Sequence, residues 1–392
     1  MFFSVSKLKE VAVMLQIFAK ILPLAYCLYG GREKRVMLPI YHILGSEIEH
    51  HNQQVLTFFQ QELLPLLPDS EHFFYVVGKP SLQTAFPHLR IKQFSSQKAI
   101  ANALIAKKRQ NPTACFLLHG QFNPWIWLAI ALGRLPTTNL IWHIWGADLY
   151  EMATSWKFKL FYPFRRVAQQ KILQVWATRG DLDHLWRNMR TRSEQDHLIY
   201  FPTKLGDQIK ISPTQNDRLT ILLGNSGDPA NELIQALSEI HQRLGNNVRI
   251  IIPMGYPENN ESYIRQVEAY SKRLFLAENL QILRKKLSFE EYVTLLSHCD
   301  LGYFNFKRQQ GIGTISLLIS HNVPCVLHSA NPFGLDLQAE KVPYLLAENL
   351  TASQIQTTKQ QLKSIDKNRI AFFAPGYTKL WQQRLIELMQ NE

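Results

Sequence analysis

"LTILLGNSGDPANELIQAL", residues 219–237, passes from an aliphatic run through a glycine-rich break into a second apolar segment. Leu219 to Leu223 have the length and aliphatic content of a buried strand. The run breaks at Gly224-Asn225-Ser226-Gly227, and residues at helical spacing follow, with Asp228 or Asn231 as the cap. A strand passing through a small-residue loop into a helix is the start of a βαβ unit, whose ligand edge lies at the carboxyl end of the strand. Gly224, Asn225, Ser226 and Gly227 would then offer backbone N–H groups and a helix N-terminus to an anion. A tight turn with no ligand is the alternative. The loop is neither a P-loop nor a dinucleotide GxGxxG fingerprint.

The same alternation extends in both directions. "LPIYHILGS", "FFYVVGKP", "CFLLHGQ", "LIWHIWGAD", "QVWATRGD" and "LIYFPTK" precede it; "VRIIIPMGYP", "LQILRKK", "LGYFNFKRQQG" and "VPCVLHSA" follow. Strands alternating with helix-length stretches imply parallel sheets with helices on both faces, and two series imply two sheets. The polar, turn-rich residues 203–218 form the expected seam, which gives domains over 37–205 and 206–392. Thr378 to Gln390 carry Trp381, Leu385, Leu388 and Met389 at helical spacing, an apolar face expected to pack back toward the first domain.

Of the 392 residues, 46% are hydrophobic and 19% charged, which excludes a disordered chain. A net charge of +12 points to an anionic partner: nucleic acid, a phosphate-bearing substrate or an acidic lipid surface. Cys27, Cys115, Cys299 and Cys325 form no CxxC pair, so neither a disulfide framework nor a zinc site is expected. Residues 1–36 read either as an appended, membrane-leaning extension or as an over-called start, with Met37 the initiator. Gln16, Lys20 and Pro23 interrupt their apolar run and weigh against a membrane span.

Three further stretches carry chemistry. In "FKRQQGIGT", residues 306–314, Gly311, Gly313 and Thr314 would open a second helix at a strand end, with Arg308 in reach of a phosphate. In "NLIWHIWGADLYE", residues 139–151, Asp148 and Glu151 follow a strand. Either would serve as a base or orient an acceptor; His143 or His119 would take that role instead, and helix capping is the plain alternative. Residues 155–176 hold Lys157, Lys159, Arg165, Arg166 and Lys171 with Phe161 and other aromatics between them and no acid, the composition of a surface lying on an anionic bilayer. Its apolar content argues against a nucleic-acid stripe, and no nucleic-acid partner is expected. Nothing resembles HExxH, and no metal or cofactor is expected.

Together "HILGSEIEHHN", "HGQFNP", "WHIWGADLYE", "FYPFRR", "ATRGDL", "YFPT", "GNSGD", "PMGYP" and "RQQGIGT" resemble glycosyltransferase family 56 from Met37 onward. The resemblance implies a GT-B fold, two Rossmann-like α/β domains facing across a cleft. It also implies a peripheral enzyme on the cytoplasmic side of the inner membrane, in enterobacterial common antigen synthesis, in contact with its anionic lipids. The donor would be dTDP-Fuc4NAc (4-acetamido-4,6-dideoxygalactose) and the acceptor an undecaprenyl-diphosphate-linked disaccharide, GlcNAc-ManNAcA. Many GT-B enzymes hold the ribose with an acid after the glycine-rich loop, whereas this chain reads "ISLLISHN"; a deoxyribose donor tolerates that loss. The competing classes are a GT-B transferase for a different nucleotide sugar and a non-catalytic, membrane-docking nucleotide-binding module.

Overall fold

The computed structural model describes residues 38–390 except 48, 69–70, 79–81, 153–155, 204–217 and 258–259. Residues 1–36 and most of the expected seam lie outside the described residues. The first sheet has seven strands in the order β3-β2-β1-β4-β5-β6-β7. These are β1 Ile40–Leu44, β2 His72–Val77, β3 Arg90–Phe94, β4 Cys115–His119, β5 Leu140–His143, β6 Gln174–Ala177 and β7 His197–Leu198. The second has six in the order β10-β9-β8-β11-β12-β13: β8 Thr220–Leu223, β9 Arg249–Pro253, β10 Leu280–Leu283, β11 Leu301–Phe304, β12 Cys325–Leu327 and β13 Leu345–Leu346. Neighbouring strands pair parallel, so all the strands of a sheet release their loops at one edge.

The central strands are apolar on both faces because helices cover both, and β1, β4, β5 and β8 are buried at every position. β3, Arg-Ile-Lys-Gln-Phe, is an edge strand with no buried residue, which is why the apolar pattern does not reveal it. One apolar core includes Phe74 and Trp176 of the first sheet and Leu222 and Phe304 of the second, and Trp381 belongs to it as well. Separate cores fill the outer face of each sheet.

The C-terminal helix, Gly376–Gln390, comes back to the first sheet. Trp381 is fully buried there; its ring stacks on His119 at 5.8 Å and meets the edges of His143 at 5.0 Å and Trp176 at 5.5 Å. Its Nε1 donates to the Tyr200 carbonyl at 2.9 Å. Register aligns His119, His143 and Trp176 across three adjacent strands, so they form one shelf on which the indole lies. Trp381→Ala is expected to lower stability by about 3–5 kcal/mol, read as a reduced midpoint in urea unfolding, because the indole leaves a cavity and a buried carbonyl without its donor.

Candidate functional site

The loops at the strand ends face one another across a cleft of about 880 Å³. The first domain contributes His50, His51, Phe122, Trp145, Thr178 and Phe201; the second contributes Asn225, Ser226, Tyr256, Lys285, Lys286 and residues 308–314. Two backbone contacts fix the floor. Gly146, at φ +88°, packs so closely on the Gln309 backbone that a Cβ would stand 2.5 Å from its carbonyl oxygen. At Gly180 a Cβ would stand 2.1 Å from the Pro332 oxygen. Beside it, Asp336 accepts hydrogen bonds from Arg179 N (2.9 Å), Gly180 N (3.1 Å) and Tyr200 Oη (2.7 Å).

The two glycine-rich loops divide the work unevenly. In the first, the amides are spent inside the protein: Gly224 N donates to the Tyr303 carbonyl, Asn225 N to Asn231 Oδ1 and Gly227 N to the Tyr256 carbonyl. Asp228 caps only a short 3-10 turn, and the long helix begins at Leu233 after Glu232 in a left-handed conformation. The amide cradle expected at Gly224–Gly227 is therefore corrected: Gly224 and Gly227 do not line the cleft, and a Cβ on Gly227 would stand 2.0 Å from Asn260 Nδ2. What this loop offers the cleft is the side chains of Asn225 and Ser226.

The second loop leaves a helix N-terminus uncapped. Gly311, at φ +65°, sits at the N-cap of the Ile312–Ser320 helix, and no side chain caps it. The first-turn N–H groups of an α-helix have no intrahelical acceptor, and here they open on the cleft. Arg308 reaches the same place and meanwhile pairs with Asp228 at 2.8 Å, while Gln310 donates to Asn225 at 3.1 Å. Thr314 lines the cleft too, although its hydroxyl is shared with Tyr292 at 2.9 Å. This end of the cleft thus brings together an uncapped helix N-terminus and a guanidinium, groups whose charge suits a polyanion.

The four candidate catalytic residues take other places. The Asp148 carboxylate is buried at 1% exposure and accepts from Trp145 N (2.9 Å), Gln121 N (2.9 Å) and Trp142 Nε1 (2.7 Å). It staples the loops after β4 and β5 together and holds Trp145 in the cleft wall, with no oxygen left for a substrate. Burial raises its pKa and the three donors pull it back. Glu151 lies away from the cleft and accepts from Arg166 Nε at 2.8 Å. His119 and His143 are buried under Trp381; burial holds His119 down to about 3 and His143 well below its ordinary value. His119 also shares a 3.0 Å hydrogen bond with His42, which bonds His72 at 2.9 Å. These rings are packing groups kept neutral by the core.

His50, His51, Lys285 and Lys286 were not among the expected site residues. Their signal in the sequence was weak: two histidines opening a helix and two lysines just past a strand are common on any surface. Only the cleft brings them together.

The basic aromatic helix, Trp156–Lys171, exposes Trp156, Phe158, Leu160, Phe164 and Val167. Lys157 and Lys159 are exposed beside them. Arg165 is corrected from a surface residue to a buried one: it donates to the Tyr150 carbonyl at 2.8 Å and lies 4.6 Å from the Tyr162 ring centre. Phe161 is half-buried against the first domain's outer core. Among the described residues no helix is long and apolar enough to cross a membrane.

Two parallel-sheet Rossmann-like domains with a cleft between their strand ends define a glycosyltransferase of the GT-B fold. The family described as "4-alpha-L-fucosyltransferase glycosyl transferase group 56" matches residues 37–390, and the chain belongs to it. Solved structures agree on the fold. The Anabaena protein HepE in complex with UDP is 13% identical, with a TM-score of 0.54 over 90% of this chain and 98% of that one. The UDP-forming alpha,alpha-trehalose-phosphate synthase of Burkholderia xenovorans, in complex with glucose-6-phosphate, is 11% identical, with a TM-score of 0.55 over 90% and 100%.

Two outcomes are expected. Gly146→Ala should weaken nucleotide binding and lower the melting temperature together, because its Cβ displaces the Gln309 backbone that carries the second loop; calorimetric titration with a nucleoside diphosphate and a thermal melt would measure both. The buried histidines bind protons less readily folded than unfolded. Their stabilisation is therefore full above the unfolded value of about 6.5 and is lost as pH falls toward the folded value near 3 for His119. Asp181 and Asp336, both raised by burial, act with the opposite sign. The comparison is thus between variants: His119→Leu should show a shallower fall in melting temperature than the unsubstituted chain between about pH 6.5 and about pH 4.

Proposed function

We propose that the chain transfers Fuc4NAc from dTDP-Fuc4NAc to the undecaprenyl-diphosphate-linked disaccharide GlcNAc-ManNAcA, as a peripheral enzyme of the cytoplasmic side of the inner membrane in enterobacterial common antigen synthesis. The single observation that carries the donor class is the free N-terminus of the Ile312–Ser320 helix opening on the cleft beside Arg308 and the side chains of Asn225 and Ser226. Such a pole, with the Arg308 guanidinium beside it, suits the diphosphate of a nucleotide sugar. HepE, a protein of the same fold, is in complex with UDP, which supports a nucleotide-sugar donor. The family's description as a fucosyltransferase supports a 6-deoxyhexose. The helix Ile312–Ser320 contains no acid to hold a ribose diol, in keeping with a deoxyribose nucleotide.

In the reaction the acceptor hydroxyl oxygen bonds to the anomeric carbon, the bond from that carbon to phosphate breaks, and dTDP leaves with the electron pair. Fixed N–H dipoles and Arg308 stabilise the charge growing on the leaving diphosphate. Five exposed apolar side chains on the Trp156–Lys171 helix, with Lys157 and Lys159 between them, support docking on an anionic bilayer, where a polyprenyl acceptor resides.

Purified protein incubated with dTDP-, UDP- and GDP-sugars and the lipid-linked disaccharide should give, by mass, one added Fuc4NAc residue and only from the dTDP donor. A product from another nucleotide sugar would replace this donor, and no product from any would remove the reading. Lys157→Gln with Lys159→Gln should weaken co-sedimentation with phosphatidylglycerol vesicles by roughly 1 kcal/mol per charge; unchanged, salt-insensitive sedimentation would exclude this helix as the docking face.

A further inference from the structure

We propose that His50 is the general base of the transfer, the group that takes the proton from the acceptor hydroxyl as its oxygen bonds to the anomeric carbon. The assignment rests on the reading of the chain as a transferase to a hydroxyl, and it goes beyond that reading by naming the atom that receives the proton.

The cleft itself leaves few choices. Asp228 is its one lining carboxylate among the described residues, and both of its oxygens are engaged: Oδ2 accepts from Arg308 at 2.8 Å and Oδ1 from Ala230 N at 2.9 Å. Lys285 and Lys286 are hydrogen-bond donors with no acceptor to offer a hydroxyl proton. Tyr292 is bonded to Thr314, and burial raises the proton affinity of both Tyr256 and Tyr292, so the phenols stay protonated. Two imidazoles remain.

They differ in environment. His51 is pressed edge-on against Trp145 at 5.3 Å and Phe201 at 5.9 Å, its Nδ1 is buried with no partner, and burial holds it down to about 3. A base that weak takes up little proton charge in a transition state. His50 is exposed to the cleft, in the first turn of the helix Glu49–Phe58. Its ring lies 5.5 Å from that of Tyr256 in the second domain and 4.3 Å from that of His51. It therefore stands where the acceptor-side wall meets the donor-side wall, as a base between the two substrates must.

The charges around it favour the role once the donor is bound. The groups facing His50 are His51 on its own helix and Tyr256 and Lys286 from the second domain; partial burial and Lys286 lower its proton affinity. A bound diphosphate adds negative charge to the same cleft, offsets Lys286 and lifts the imidazole toward the working pH. The proton accepted passes to water after the nucleotide leaves.

The test measures turnover of His50→Ala and His50→Gln with whichever nucleotide sugar of the panel the unsubstituted chain consumes. A wrong donor or acceptor then shows as a different substrate of the unsubstituted chain, separate from any effect at His50. Expected are a fall in kcat of about 10² to 10⁴, unchanged affinity for the nucleoside diphosphate, loss of the acid limb of the pH profile, and partial restoration of His50→Ala by added imidazole. Turnover within about tenfold of the unsubstituted chain would overturn the assignment. So would a persisting acid limb, or a loss in folded His50→Ala that imidazole does not restore. A thermal melt checks folding, and if the alanine variant is unfolded, the pH profile of His50→Gln decides.

Discussion

The carboxylate of Asp336, donated by the second domain and hydrogen-bonded to the start of a helix in the first, is the contact on which the shared cleft depends. It accepts from Arg179 N, Gly180 N and Tyr200 Oη, all from the other domain. The partial positive charge of a helix N-terminus and three charge-assisted donors offset the cost of burying the charge. Burial still lifts the carboxyl to about 6, so it is ionised near neutrality. Gly180 is required there because the Pro332 carbonyl occupies the space of a side chain, and Gly146 meets Gln309 in the same manner. Two backbone-to-backbone approaches and one buried carboxylate thus set the distance between the strand ends.

With that distance set, each loop has a defined task. The loop after β8 turns the Gly224, Asn225 and Gly227 amides inward, leaving the Asn225 and Ser226 side chains toward the cleft. The loop after β11 leaves its helix N-terminus open, so the positive pole of the cleft lies in the second domain. Opposite it, Asp148 spends its carboxylate on three donors to hold Trp145 in the wall. A carboxylate so engaged gives up reactivity for geometry. The unengaged titratable groups on that wall are imidazoles, which suit a cleft whose other occupants are phosphates and lysines.

Much of the fold is legible in the chain because central parallel strands are covered on both faces and must be continuously apolar. Leu140–His143 and Thr220–Leu223 stand out on that ground. β3 does not, since its Arg90 and Lys92 meet solvent at a sheet edge and no residue of it is buried, and β13 has only two residues. The apolar face around Trp381 announced a helix that packs, yet the partners beneath it, His119 and His143, read as candidate catalysts because strand-end histidines look alike whether buried or open. Arg165 was read as surface for a related reason: composition shows that a helix is basic but not which cation turns inward to a carbonyl.

Two alternating α/β series, the family motifs and the glycine-rich loops are written in the chain itself, because hydrophobic periodicity and glycine placement are local properties. Tertiary structure alone decided which amides of those loops turn inward, which acids are already bonded, and that His50 and Lys286, more than two hundred residues apart, line one cleft. Hydrogen-bond satisfaction and desolvation depend on neighbours brought in from the rest of the chain, and no local pattern encodes them.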